Sequence, residues 1–391
     1  MTDTDILIAG GGIAGLSAAA RFAAAGARVA VVDPAPASAP QDDLRTTAYL
    51  QLAAATLTRA GVWDDMAEKG APLRLMRLVD AGGLERTPRE TADFTAAPAG
   101  HDVFGWNIPN AAAKTALLAR VDSDPAISLH QGRSAVGLVT RMDRALVRLD
   151  DGTQISAKLV IGADGRGSTV RRLSGIDVRR WEYGQQALVF AVTHPRPHDG
   201  ISTEIHRTGG PLTLVPMPDR DGHPCSSVVW MVPGPRAAEL SALDDTALVS
   251  VLTDEAMALY GPLEITGPRA VWPIVSQIAT RLTGQRTALV AEAAHVMPPI
   301  GAQGLNTSLH DIEVLASLIE GAPDPGTDDI LTRYARRVWP HMASRIAGVD
   351  LLNRAAQTEV QPLRDLRRLG LSALNRIRPL RNLAVRTGMG L

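Results

Sequence analysis

The strongest constraint on the fold lies in the first 33 residues. Ile6-Leu7-Ile8-Ala9 is a short apolar run of the kind that forms a buried parallel strand. Gly10-Gly11-Gly12-Ile13-Ala14-Gly15 follows, giving Gly-x-Gly-x-x-Gly. Leu16 to Ala25 is alanine-rich and helix-forming, with Gly26 as its terminator. Arg28-Val29-Ala30-Val31-Val32 is a second strand ending at Asp33, 18 residues past Gly15. Strand, glycine turn, helix and acid within about 30 residues form a dinucleotide-binding βαβ unit. Gly10 permits the tight turn, Gly12 lets backbone approach a pyrophosphate, and Gly15 lets helix and strand pack closely. Ile13 and Ala14 belong to the turn that opens the helix, whose free N–H groups and positive dipole end face the phosphates. Asp33 is placed to accept hydrogen bonds from an adenosine ribose. The motif by itself does not separate FAD from NAD.

Farther along, residues 34–44 read as a loop, and Asp43 to Ala48 leads into a helical stretch reaching about Ala60. Another helix is expected from Ala111 to Val121. Residues 127–150 alternate like strands, with Asp150-Asp151-Gly152 as a hairpin turn. Lys158 to Gly165 is an apolar strand ending in a turn. Residues 186–232 hold the strand-like runs Ala187 to Val192, Pro211 to Pro216 and Ser226 to Val232, a β-rich second domain. Thr287 to Ala291 is again a buried strand, Leu309 to Ile319 keeps helical spacing, and the pattern is helical from Thr327 onward.

Composition then limits the chemistry. The one cysteine, Cys225, excludes an intrachain disulfide, a thiolate zinc site and an iron–sulfur cluster, and fits a reducing compartment. His194 and His198 are four apart, but Pro195 and Pro197 interrupt them, so no bound metal is expected. The formal charge of −1 hides an asymmetry: Ile330 to Leu391 carries 12 arginines against Asp350, Glu359 and Asp365, a net +9, and the rest carries −10. In Pro362 to Leu391, Leu363, Leu366, Leu369 or Gly370, Leu374, Ile377 and Leu380 recur every three or four residues. Arg364, Arg367, Arg368, Arg376, Arg378 and Arg381 fall largely elsewhere, and Pro379 kinks or ends the helix. Such a segment either packs one face on the body or docks on an anionic membrane or partner. No nucleic-acid partner is expected. No run reaches the ~18 apolar residues of a membrane span, and Asp3 and Asp5 stand where a signal peptide carries basic residues. The expected location is cytoplasmic, with peripheral contact at the inner membrane face through residues 362–391.

Three separated stretches together resemble the single-component flavin aromatic hydroxylases of the p-hydroxybenzoate hydroxylase superfamily. They are Gly10 to Gly15, Ile161-Gly162-Ala163-Asp164-Gly165, and Ala291 to Asn306. Within that superfamily, Asp43 to Ala48, Gly210 through Pro218, and Pro298-Pro299-Ile300-Gly301-Ala302-Gln303-Gly304-Leu305-Asn306 resemble the ubiquinone-biosynthesis hydroxylases. The similarity covers nearly the whole chain. It implies an α/β fold: a split Rossmann-type FAD-binding domain (1–72, 101–177 and 269–326), a β-sheet substrate domain (73–100 and 178–268) and a C-terminal helical region (327–391).

The resemblance also implies FAD as cofactor, NAD(P)H as reductant and O2 as oxidant, with a flavin C4a-hydroperoxide attacking an electron-rich phenol ring. The implied substrate is a polyprenylated phenol of ubiquinone biosynthesis, and an implied partner is a ubiquinone-biosynthesis protein complex. Two other readings stay open: a flavin hydroxylase or reductase with a different substrate, and a non-catalytic flavoprotein-like scaffold.

By the same resemblance, Arg45 is the flavin-contacting arginine, and Lys114 stands where Arg or Gln usually touches FAD. Asp164 and Gly165 match a motif implicated in FAD and NAD(P)H binding. Pro298, Gly301, Gly304 and Leu305 are the expected catalytic residues, in the loop that stabilises negative charge on the reduced flavin, with Gly304, Leu305 and Asn306 also expected to bind the cofactor. This loop leads into a helix expected to begin near Thr307, whose N–H groups and dipole favour negative charge on the flavin. The family's usual Gly-Asp is Ala291-Glu292 here, so Glu292 is the expected acceptor from the ribityl chain. Leu212, Leu214, Val215, Pro216 and Met217 are either an apolar wall beside the flavin or ordinary sheet core. His295 reads as a packed histidine, and no general base stands out.

Overall fold

The computed structural model describes residues 2–36, 43, 45–82, 87–207, 209–358 and 360–389. Leu44, Glu359 and Leu391, the side chains of Leu363 and Arg367, and residues 37–42 of the 34–44 loop lie outside the described residues.

Strand β1 (Thr2–Ala9) is central in an eight-stranded sheet. It runs parallel to β2 (Val29–Asp33), with Ile6 opposite Val29, and to strand Gln154–Gly162, with Ile6 opposite Leu159. Helix α1 (Ile13–Ala24) crosses between β1 and β2. Ile6, Leu7 and Ile8 are fully buried, each contributing about 1.5–3 kcal/mol. Ala18, Ala19 and Ala20 are equally buried, and their small side chains let α1 lie close to the sheet. Strands Ile127–Gln131 and Thr287–Leu289 extend the parallel array on its two sides. The turn at 150–153 joins strands Ala145–Leu149 and Gln154–Gly162, as the Asp-Asp-Gly signal predicts.

A second eight-stranded sheet is built around the 16-residue strands Val178–Thr193 and Glu264–Ala279. Its strand order is His295–Val296, Glu264–Ala279, Val178–Thr193, His223–Pro233, Pro211–Arg220, Ile201–His206, Leu75–Asp80 and Glu90–Thr95. Strand periodicity divides Val178–Thr193 between two cores: Ala187 and Val189 join the main core, whereas Leu188, Phe190 and Val192 face the other side. Strand Glu264–Ala279 runs unbroken through position 268/269.

Three elements differ from expectation. Thr46–Leu50 is a strand, and the helix begins only at Gln51. Thr46, Thr47 and Tyr49 favour a pleated surface, and pairing with Gly105–Pro109 holds them there. The second helix of interest is Gln303–Ile319, which begins four residues before Thr307. Ala302 sits at φ +56° as its N-cap, so Gly304, Leu305 and Asn306 lie inside the first turns. Strand Thr287–Leu289 also stops before Ala291, which opens a short 3-10 turn, Ala291–Ala293.

The C-terminal region is helical: Asp328–Gln357, Gln361–Arg376 and Arg378–Met389. The break at Ile377 puts Pro379 second in the last helix, where its missing N–H costs no hydrogen bond. Among the described residues no helix is long and apolar enough to cross a membrane.

Candidate active site

The glycine turn is required by sterics. Gly10 has φ +111°, and a Cβ there would lie 2.3 Å from the Ala163 carbonyl oxygen. A Cβ on Gly15 would lie 1.9 Å from the Gly10 oxygen. A Cβ on Gly12 meets nothing within 4 Å, because Gly12 borders open space. That space is a cavity of about 670 Å³ at the C-terminal end of β1, the size of a cofactor site. Gly10, Gly12, Ile13 and Ala14 line it, and Gly15 instead allows the close helix–strand contact. No side chain caps the N-terminus of α1, leaving its first N–H groups available to an anion. Asp33 also lines the cavity, accepting the Gly11 N–H at Oδ2 and the Ala35 N–H, 2.7 Å away, at Oδ1. Each carboxylate oxygen keeps a second lone pair for a ribose hydroxyl.

Asp164 and Gly165 line the opposite side. Asp164 Oδ2 accepts the N–H groups of Thr169 and Val170 at 2.7 and 3.1 Å, while Oδ1 is buried without a partner. A buried acceptor left open beside a cavity calls for a donor from the ligand. Arg166, beside this turn, approaches Glu292 at 3.6 Å.

Arg45 and Lys114 border the same cavity. Arg45 grips Asp43 with two bonds of 2.7 Å and lies over the Trp272 ring, 5.0 Å from its centroid. Asp43 also accepts from Asn110 Nδ2 at 2.9 Å. Burial raises the Asp43 carboxyl, but the Arg45 and Asn110 hydrogen bonds outweigh it and hold the group below the ordinary carboxylate value. Thr47 donates to Asn110 Oδ1 at 2.8 Å, tying the new strand to the helix that carries Lys114.

The third motif closes the cavity. Ala291 has φ +54°, a left-handed conformation that glycine adopts without strain. Glu292 is half exposed and lines the cavity, as do Gly304 and Leu305 in the first turn of helix Gln303–Ile319. Pro298 lines an adjoining cavity of about 180 Å³ that shares Arg45, Trp272, Glu292 and Met297 with the larger one. Gly301 borders neither. Asn306 donates to Ala48 O and Ala302 O at 2.7 and 2.6 Å and accepts the Leu50 N–H at 2.8 Å, so its side chain fastens the helix to the Thr46–Leu50 strand. His295 is packed: Nε2 lies 2.9 Å from Asp311 Oδ2, and both side chains are buried.

The apolar wall is not the Leu212–Met217 run. Leu212 and Leu214 belong to the core on the other face of the second sheet, and their strand stands beyond His223–Pro233 in the order. Ala187, Val189, Val229, Ile274 and Val275 make the wall. Sequence reasoning also missed Arg166, Trp272 and Met297. Arg166 directly follows the Asp-Gly pair, a usable signal; Trp272 reaches the site only through strand register.

A family model described as an FAD binding domain matches residues 3–346. The chain belongs to this family. It is 33% identical to the ubiquinone hydroxylase UbiL of Rhodospirillum rubrum, covering 99% of this chain and 89% of that protein. It is 29% identical to the 3-demethoxyubiquinol 3-hydroxylase of Escherichia coli, covering 99% of each. The crystal structure of the p-nitrophenol 4-monooxygenase PnpA from Pseudomonas putida DLL-E4 superposes with a TM-score of 0.81 at 17% identity, covering 100% of this chain and 99% of that one, a likeness of fold. Within the p-hydroxybenzoate hydroxylase superfamily the chain is a ubiquinone-biosynthesis flavin hydroxylase, and as an enzyme it is an FAD-dependent aromatic monooxygenase. The site of this hydroxylase suits FAD: Gly12 leaves room where a Cβ would stand, and Asp164 Oδ1 lacks a donor among the described residues.

Proposed function

We propose that this hydroxylase adds oxygen to the aromatic ring of a polyprenylated phenol intermediate of ubiquinone biosynthesis, with NAD(P)H as electron donor and O2 as oxidant. The observation that carries the reading is the pair of adjoining cavities, one over the glycine turn and one against the apolar wall, in a chain 33% identical over nearly its full length to a ubiquinone hydroxylase. In the larger, Gly10, Gly12, Ile13, Ala14, Asp33 and Asp164 would hold the dinucleotide. Arg45, Lys114, Glu292, Gly304 and Leu305 would hold its flavin end. When bound, FAD supplies the activation of O2.

The protein's own residues orient the ring and keep water out. Val189, Val229, Ile274, Val275 and Met297 give the smaller cavity an apolar lining. The N-terminus of helix Gln303–Ile319, which has no side-chain cap, offers N–H groups to negative charge on the flavin. Glu292 takes the role of ribityl acceptor, and the division into FAD-binding, substrate and C-terminal parts remains part of the proposal, with strand Glu264–Ala279 shared across its 268/269 boundary.

A lipid substrate needs access from the membrane. In the C-terminal helices Leu371, Val385 and Met389 pack against Leu73 and Phe94, while Leu366, Leu369, Leu380 and Leu383 stay exposed beside Arg368, Arg376 and Arg378. That face fits peripheral docking on the anionic inner leaflet from the cytoplasm, or on a ubiquinone-biosynthesis complex. Purified protein should be yellow and should consume NAD(P)H and O2 faster when a polyprenylated phenol is supplied. Failure to retain FAD, or no hydroxylated product from that phenol, overturns the proposal.

A further inference from the structure

Helix Gln303–Ile319 uses two opposite faces. Gly304, Leu305 and Ser308 line the flavin cavity. Gln303, Asn306, Thr307 and His310 turn the other way, toward a small cavity that His341 and Arg345 of helix Asp328–Gln357 close. The volume there is about 20 Å³, room for one water molecule or one ion. Beside it, ligand atoms of His310, Asp311 and His341 all lie within 4.8 Å of one another.

Three polar atoms in this region are buried without a hydrogen-bond partner among the described residues: Asp311 Oδ1, His341 Nδ1 and Thr307 Oγ1. Asp311 is fully buried, and its other oxygen already faces His295. A fully buried carboxylate with an open lone pair is costly unless a cation or donor reaches it. The rings of His310 and His341 are 4.1 Å apart, centroid to centroid.

We propose that His310, Asp311 and His341 form a divalent-cation site, with zinc the best match. Two imidazoles and one carboxylate are donors that zinc accepts, with water completing the shell. Arg345 reaches His341 Nε2 at 3.4 Å, a long contact, and Gln303 Oε1 holds the same guanidinium at 2.8 Å. Ligation through His341 Nδ1 puts its proton on Nε2 and gives up only the long contact. His295, against Asp311 Oδ2, orients the carboxylate as an outer-shell partner. The ion would brace the flavin-facing helix against helix Asp328–Gln357. The expectation of no bound metal weighed His194 and His198, which are not part of this cluster. His194 is taken up by Arg196 O and Ser226 Oγ.

The test uses full-length, FAD-loaded protein stripped with a chelator and titrated with Zn²⁺ by calorimetry, with metal content measured after dialysis. Wild type should take up one Zn²⁺ per chain and gain Tm on binding. His310→Ala and His341→Ala should each weaken binding at least about tenfold, keeping the wild-type flavin spectrum and metal-free Tm, and His194→Ala should bind as wild type. His310 is only partly buried, so its variant decides the matter if the other fails to fold. Absence of saturable Zn²⁺ uptake by wild type, or wild-type affinity in His310→Ala, would overturn the site.

Discussion

The two ends of the cofactor cavity obey different rules. At the glycine turn, Gly10 and Gly15 are required because a Cβ would overlap backbone, 2.3 Å from Ala163 O and 1.9 Å from Gly10 O. At the flavin end, the left-handed positions Ala291 and Ala302 carry methyl groups. There the cost is conformational, roughly 1–2 kcal/mol per residue. Gly10 and Gly15 leave no room for a side chain, whereas the flavin end has absorbed two methyl groups and carries Glu292 beside one of them.

Substitutions can break this contrast, beginning with the largest effect. Gly15→Ala should lose about 3 kcal/mol of stability in urea unfolding, along with its bound flavin. Full retention of FAD would mean that the α1–β1 contact is not as tight as described. Asp164→Ala removes both a helix cap and the open acceptor. FAD affinity measured by fluorescence should fall at least about tenfold, near 1.4 kcal/mol. Glu292→Ala should weaken FAD by a smaller factor, about fivefold, close to 1 kcal/mol. Unchanged affinity there would remove Glu292 as ribityl acceptor. Ala291→Gly should raise stability by up to about 1 kcal/mol by relieving the left-handed alanine, whereas a loss would mean that its methyl packs better than its backbone suffers.

The Asp43–Arg45 pair adds a pH signature. The folded Asp43 carboxyl lies below its unfolded value, so its stabilisation is complete above the unfolded value of about 4 and fades as acid lowers the pH through the folded value. The Tm gap between wild type and Asp43→Asn should therefore narrow as the pH falls from neutral toward about 3. A gap independent of pH would show that Asp43 acts by shape alone.

The glycine turn was legible because its requirement is local: each glycine answers to atoms a few residues or one strand away. Tertiary contacts decided the parts that were not. Helix Gln303–Ile319 starts early because Ala302 turns left-handed and Asn306 reaches Ala48 and Leu50, more than 250 residues away in sequence. The Leu212–Met217 run stays open in sequence between apolar wall and sheet core because strand pattern reports burial, not sheet order; the structure puts Leu212 and Leu214 in the core. Trp272 carries no motif, and His341 stands 31 positions from His310 on another helix. No spacing rule connects residues joined only by helix packing.

Oxygen transfer is the central claim. The most direct measurement is mass spectrometry of the product formed by FAD-loaded enzyme from NAD(P)H, a polyprenylated phenol and ¹⁸O2. One labelled oxygen on the aromatic ring is the predicted result. NAD(P)H consumption with an unlabelled, unchanged phenol would contradict it.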